Sequence, residues 1–197
     1  EHQSRNAAVA CVILDLLKSR RAAVDLDRQR SGLASVRVAG RVERFRVSPQ
    51  VDIILDTAHN VDSIEALCRC IQKRAQGRPV TIVFGTSRDK EHVPMLRQLC
   101  ELADHMILTR YHGNPRYRET AELQRDLPAG TQVKATIIEQ PLEALQVALD
   151  QDAGPKLVVV CGSFFLAAEV RPMLEATFEK SFRGIRLSGD LSSQEGR

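Results

Sequence analysis

Apolar and polar positions along this chain fall into two alternating kinds of block. Short aliphatic runs occupy 52–56, 80–84, 105–108, 133–138 and 157–160. Their length and β-branched content are those of buried strands. Between them, 62–75, 91–102, 118–126, 141–151 and 165–178 carry apolar residues at helical spacing. Strands that alternate with helices pair in parallel through right-handed crossovers. The pattern therefore predicts an open three-layer α/β sheet. Ahead of this region, Val36, Val38, Val42, Phe45 and Val47 read as extended structure around Gly40, with a turn at Ser48 and Pro49.

The first 36 residues are patterned differently. Ala7, Ala8, Ala10, Leu14, Leu16 and Leu17 predict a helix over 6–18. A charged second segment, 20–32, reads as a short helix and a connection hinged at Ser31 and Gly32. Nothing before about Arg37 forms a core of its own. The expected organisation is 1–36 as the tail of a preceding domain, 37–185 as the α/β domain and 186–197 as a polar, flexible tail. The opening residues lack Met and read as the interior of a longer protein.

In a parallel sheet, ligands gather where strands end and helices begin. Asp56, His59 and Asn60 stand at the first such junction. They read either as a ligand site or as a turn in which Asn or Asp caps the next helix. Lys90 and Ser163 follow two other strands, where helix N-termini favour an anion. Each alone also reads as a solvated Lys or a Ser cap; at matching strand ends they outline a crevice. Arg116 is a further anion-binding candidate.

Composition narrows the function classes. The net charge of +3 is dispersed and aromatics make up 4% with no Trp, so no nucleic-acid footprint is present. No apolar run reaches the length of a membrane span. The five cysteines, Cys11, Cys68, Cys70, Cys100 and Cys161, read as reduced core thiols of a cytoplasmic protein. No Gly is followed by Lys, so there is no G-x-x-x-x-G-K-[ST] phosphate loop, and G-x-G-x-x-G, HExxH and G-x-S-x-G are absent too. The chain shows parts of a site without a self-contained catalytic engine.

Seven segments, in order, carry a resemblance: HQSRNAA from His2, GLA from Gly32, GRVE from Gly40, DTAHN from Asp56, FGTSRDK from Phe84, LTRYHGNPR from Leu108 and GSFFLAAEVR from Gly162. Together they resemble folylpolyglutamate synthase/dihydrofolate synthase, in the superfamily of ATP-dependent Mur ligases. Thr57 stands where Gly is usual, Val61 where Pro follows the Asn, and Ala39 where Pro precedes Gly-Arg. The resemblance implies a Mur ligase C-terminal domain: a three-layer Rossmann-like open sheet, mostly parallel with an antiparallel edge strand. It also implies a larger N-terminal domain, bearing the phosphate loop and magnesium ligands, over which this domain closes.

The implied reaction joins L-glutamate to folate or dihydropteroate through an acyl phosphate made from ATP with Mg2+. By motif, Asn6 resembles an adenine-binding residue, Arg41 an arginine at the ATP phosphates and Asp56 an acid at the ribose. His59, Lys90 and Ser163 resemble the part that meets the attacking amino acid, with His59 and Lys90 as catalytic candidates. No metal ligand is expected here, and without the phosphate loop this stretch alone is expected to be inactive. Two alternatives stay open: another Mur-type amino-acid ligase, and a non-catalytic Rossmann-like ligand-binding domain.

Overall fold

Side chains on successive strand residues face opposite ways, so a strand buried on both faces must be apolar throughout. The computed structural model, which describes residues 2–19, 25–36, 38–151 and 154–180, shows this arrangement. Its strands are β1 (Glu43–Arg46), β2 (Val51–Leu55), β3 (Val80–Phe84), β4 (His105–Leu108), β5 (Lys134–Ile137), β6 (Lys156–Cys161) and β7 (Glu179–Lys180). They form one sheet in the order β5-β4-β3-β6-β2-β1-β7. All pairings from β5 to β2 are parallel, and β1 is antiparallel to both β2 and β7.

The helices are α1 (His2–Ser19), α2 (Leu26–Ser35), α3 (Val61–Ala75), α4 (His92–Cys100), α5 (Thr120–Arg125), α6 (Pro141–Asp150) and α7 (Phe164–Thr177). Ile64, Leu67 and Ile71 of α3 and Met95, Leu96 and Leu99 of α4 pack against Ile54, Ile82, Phe84 and Val159 on one face. Ala144 and Leu145 of α6 and Leu166, Val170 and Leu174 of α7 cover Ile53, Val83, Val158 and Val160 on the other. The expected three-layer, mostly parallel sheet with an antiparallel edge is the observed one.

The chain parts into two units between Val38 and Ala39. In the first, α1 presents Val9, Val12, Ile13, Leu16 and Leu17 as exposed apolar residues. Ser31 and Gly32 are not a hinge: both lie within α2, whose N-terminus Asp25 caps by accepting from Asp27 N–H at 3.1 Å. Ser31 Oγ donates back to Asp27 O at 2.8 Å, and Val36 N–H closes the last turn on Gly32 O at 3.0 Å. The predicted tail 186–197 lies outside the described residues.

Two helices are shorter than their periodicity predicts. α5 begins at Thr120 because Arg118 N–H is drawn to Thr86 O, at 2.8 Å, and Glu119 is extended. α4 begins at His92, after a non-helical Glu91, and stops at Cys100. Of the extended stretch predicted around Gly40, 43–46 becomes a strand and Gly40 and Val42 take positive φ.

Candidate functional site

The helices after β2 and β3 pack on one face of the sheet and the helix after β6, which lies between those strands, packs on the other. Chains that leave neighbouring strands in opposite directions open a crevice at the carboxyl ends, where open α/β sheets bind ligands. Here that rim is drawn tight by backbone bonds. Asp56 N–H donates to Val160 O at 3.0 Å and Gly162 N–H to Ala58 O at 2.8 Å. Gly162 has φ +110, and a Cβ on it would lie 2.5 Å from Gly85 O. Only glycine lets these strand ends approach so closely.

A pocket of about 150 Å3 opens in this crevice, lined by His59, Ser87, Lys90, Arg116 and Ser163 with Phe164 and Phe165. His59 follows β2. Its Nδ1 is 2.8 Å from Thr57 O. A carbonyl can only accept, so Nδ1 carries the proton and a neutral ring keeps Nε2 as an acceptor. Ser163 is buried and caps α7, its Oγ accepting from Phe165 N–H at 3.1 Å. Its own O–H remains a donor.

Lys90 and Arg116 form the cationic side. Lys90 Nζ and Arg116 Nη2 each lie 3.0 Å from Asp89 Oδ2. Lys90 first, and then Arg116, hold the Asp89 carboxyl down at about 2 against an ordinary 3.8. Arg116 comes from the loop after β4, which is held at several points. Glu169 on α7 accepts from His112 N–H at 2.7 Å and Gly113 N–H at 2.6 Å. Arg88 donates to Tyr117 O at 3.0 Å. Behind the pocket, Ser87 Oγ lies 2.6 Å from the hydroxyl of the fully buried Tyr111.

Arg41 lies beside the pocket on the loop before β1. Its guanidinium carbon is 5.8 Å from the Phe164 ring centroid, and among the described residues no carboxylate pairs with it. Asp56 positions this loop. Its Oδ2 accepts from Val42 N–H at 2.8 Å and its Oδ1 from Ala58 N–H at 2.7 Å. Gly40 has φ +67, and a Cβ there would strike Thr57 Cγ2 at 2.4 Å. Thr57 thus fits against a glycine across the loop.

His59, Lys90 and Ser163 therefore meet around one pocket, with Arg41 linked to it through Phe164 and Asp56 buried at the base of the same rim. Asn6 is exposed on α1 of the first unit. Asn60 is a helix cap: its Oδ1 accepts from Ser63 N–H at 2.9 Å in a capping box. Ser87, Phe164 and Phe165 were not foreseeable as lining residues from helical periodicity. The adjacent aromatic pair directly after a Ser cap at a strand end was the available signal.

Comparison with known proteins completes the picture. The family described as "Mur ligase, glutamate ligase domain" matches residues 40–164. The chain is 27% identical over 176 residues to the dihydrofolate synthase/folylpolyglutamate synthase of Bacillus subtilis, covering 88% of this chain and 39% of that relative. It is 33% identical over 135 residues to the UDP-N-acetylmuramoyl-L-alanyl-D-glutamate--2,6-diaminopimelate ligase of Vibrio vulnificus, covering 66% of this chain and 27% of that relative. Among solved structures, Mycobacterium tuberculosis folylpolyglutamate synthase complexed with ADP and AMPPCP superposes with a TM-score of 0.73 at 26% identity, over 88% of this chain and 40% of that one. The chain spans about a quarter to two fifths of the length of these relatives.

Proposed function

This chain belongs to the Mur ligase family, as its glutamate ligase domain, and from that premise we propose that it is the amino-acid-receiving part of an ATP-dependent amide ligase. The acid extended is folate, dihydropteroate or both, and the incoming amino acid is L-glutamate. The observation that carries this reading is the convergence of His59, Lys90 and Ser163 on one pocket at the strand rim. At about 150 Å3 the pocket suits one small polar molecule; sites for drug-sized ligands run to roughly 300–1,000 Å3.

In the proposed reaction ATP transfers its γ-phosphoryl group to a carboxylate oxygen of the acceptor, releasing ADP. The amino group of glutamate then attacks the acyl carbon, and inorganic phosphate leaves as the amide forms. The attacking amine must shed a proton, and His59 Nε2 is an acceptor held ready by the Nδ1–H bond to Thr57 O. Lys90 and Ser163 bind glutamate carboxylates, and Lys90 also offsets charge that builds on the acyl phosphate. Arg41 has a free guanidinium suited to a charge-assisted fork on the ATP phosphates. Asp56 accepts from the ribose with the lone pairs left beside its bonds from Val42 and Ala58 N–H, and Asn6 reads the adenine edge. Among the described residues no group of three or more His, Cys, Asp or Glu stands together to hold a metal. By the same reading, the magnesium that would neutralise the nucleotide phosphates is held by ligands in a companion N-terminal domain, which would also carry the phosphate loop.

Among the described residues no helix is long and apolar enough to cross a membrane. The five cysteines are free thiols, which supports a cytoplasmic setting. The test is Arg41→Ala in the full-length protein. Glutamate-dependent ADP release should fall strongly with the melting temperature little changed, and an unchanged kcat/KM would refute the assignment. The 33% identity to a diaminopimelate-adding relative keeps a second reading, a Mur-type ligase with a different amino acid or acceptor. Replacing folate and glutamate in the same assay separates the two. A non-catalytic Rossmann-like binder would instead be stabilised by NAD alone in a thermal shift.

A further inference from the structure

Phe164 is a large apolar side chain left 49% exposed at the first position of α7. The core face of that helix is supplied by Leu166, Ala167, Val170 and Leu174, all buried. Packing under α7 therefore does not account for Phe164. Its contacts do. The His59 ring lies 4.8 Å away, centroid to centroid, at a tilt of 50°. The Arg41 guanidinium lies over the ring at 5.8 Å. One aromatic side chain thus touches both the imidazole of the pocket and the arginine beside it, which come from different loops.

We propose that Phe164 is a positioning residue that holds His59 and Arg41 together, so that the amino-acid pocket and the phosphate-directed arginine are set as a unit. The chemistry of the contacts supports this. A guanidinium over an aromatic face is attracted by the ring quadrupole and keeps its N–H edge free for an anion. An imidazole packed on the same ring, with Nδ1 tied to Thr57 O, is restrained in both position and tilt. Among the described residues no carboxylate orients Arg41, and the Phe164 ring stands in that place. An exposed Arg side chain otherwise samples many rotamers, and ordering it in advance of the nucleotide lowers the cost of the productive geometry.

The proposal rests on the ligase reading for its catalytic half and on geometry alone for its structural half. The two are tested separately with Phe164→Ala, Phe164→Leu and Phe164→Tyr. In the 197-residue chain, the side-chain proton resonances of His59 and Arg41 should carry ring-current shifts in the wild type and the Tyr variant, and return toward ordinary values in Ala and Leu. In the full-length protein, Ala and Leu should lose roughly tenfold in kcat, the scale of two aromatic contacts, with the melting temperature kept and Tyr near wild type. Rescue by Leu equal to that by Tyr would show apolar filling only and overturn the proposal. So would ring shifts that are absent from the wild type, or an Ala variant with full kcat. A wild-type protein without glutamate-dependent ADP release overturns the ligase reading and the catalytic half together, while the resonance shifts still decide the stack.

Discussion

Asp56→Ala should damage the stability of the chain more than any change to the pocket's exposed charges. The Asp56 side chain is only 5% exposed, and its two oxygens accept from the backbone N–H groups of Val42 and Ala58. Hydrogen bonds to a charged group are worth ~1.5–3 kcal/mol each, and a buried donor left without a partner costs about as much. Ala58 is fully buried, so its N–H cannot turn to water. Val42 sits at φ 49, a conformation that a β-branched residue avoids without support. Losing both bonds comes to ~3–6 kcal/mol, a large share of the ~5–15 kcal/mol that holds a typical domain together. With a urea slope of ~2 kcal/mol/M, the midpoint should fall by ~1.5–3 M. The assay is urea unfolding of the 197-residue chain followed by far-ultraviolet circular dichroism, since the chain has no Trp. Asp56→Asn, which keeps one acceptor oxygen, should fall between the two. A midpoint shift below ~0.3 M for Asp56→Ala would refute the reasoning that this carboxylate anchors the Arg41 loop.

Three further outcomes follow from the same contacts. Gly162→Ala should cost ~1–3 kcal/mol, because a residue at φ +110 is strained and its Cβ would meet Gly85 O; a midpoint equal to wild type would contradict the close approach of the two loops. Asp89, held down at about 2 by Lys90 and Arg116, contributes stability above its ordinary value of 3.8 that is lost as pH falls toward 2. Because the group is exposed, the contribution is below ~1 kcal/mol; the stability difference between wild type and Asp89→Asn should therefore be small and shrink from pH 5 to pH 2, and a difference constant with pH would count against the pairing. Burial raises the Cys68 and Cys100 thiols to about 11, so both should resist alkylation at pH 8 in the folded chain and react on unfolding, as followed by mass spectrometry.

Much of the fold was legible because a parallel core imposes one simple demand. Strands such as Val80–Phe84, buried at every position, have to be apolar at every position, and the helices between them have to show a stripe. The edge was harder. β7 is two residues long and pairs with β1 across more than a hundred positions of chain, a contact that no local pattern records. The hinge expected at Ser31 and Gly32 failed because Ser31 bonds back to Asp27 and so prolongs α2. In the site, the strand-end rule brought out His59, Lys90 and Ser163, since their positions follow from topology. It could not tell Asn60 the helix cap from His59 the pocket residue, because both stand at the same junction. Nor could it find the Ser87–Tyr111 contact or the shared Asp89, which depend on how the loops after β3 and β4 fold over each other. Phe164 was hidden for a different reason: the periodicity starts the helix at 165, so Phe164 falls in the connection before it, where no pattern records its exposure or its contacts.

The central claim, that the rim pocket receives the incoming amino acid, is tested most directly by steady-state ligation with Lys90→Met in the full-length protein. Lys90 lines the pocket and stands 3.0 Å from Asp89. KM for L-glutamate should rise roughly tenfold or more, the loss of one charge-assisted contact, while KM for ATP stays near wild type. An unchanged KM for glutamate, or a rise confined to ATP, would contradict the account.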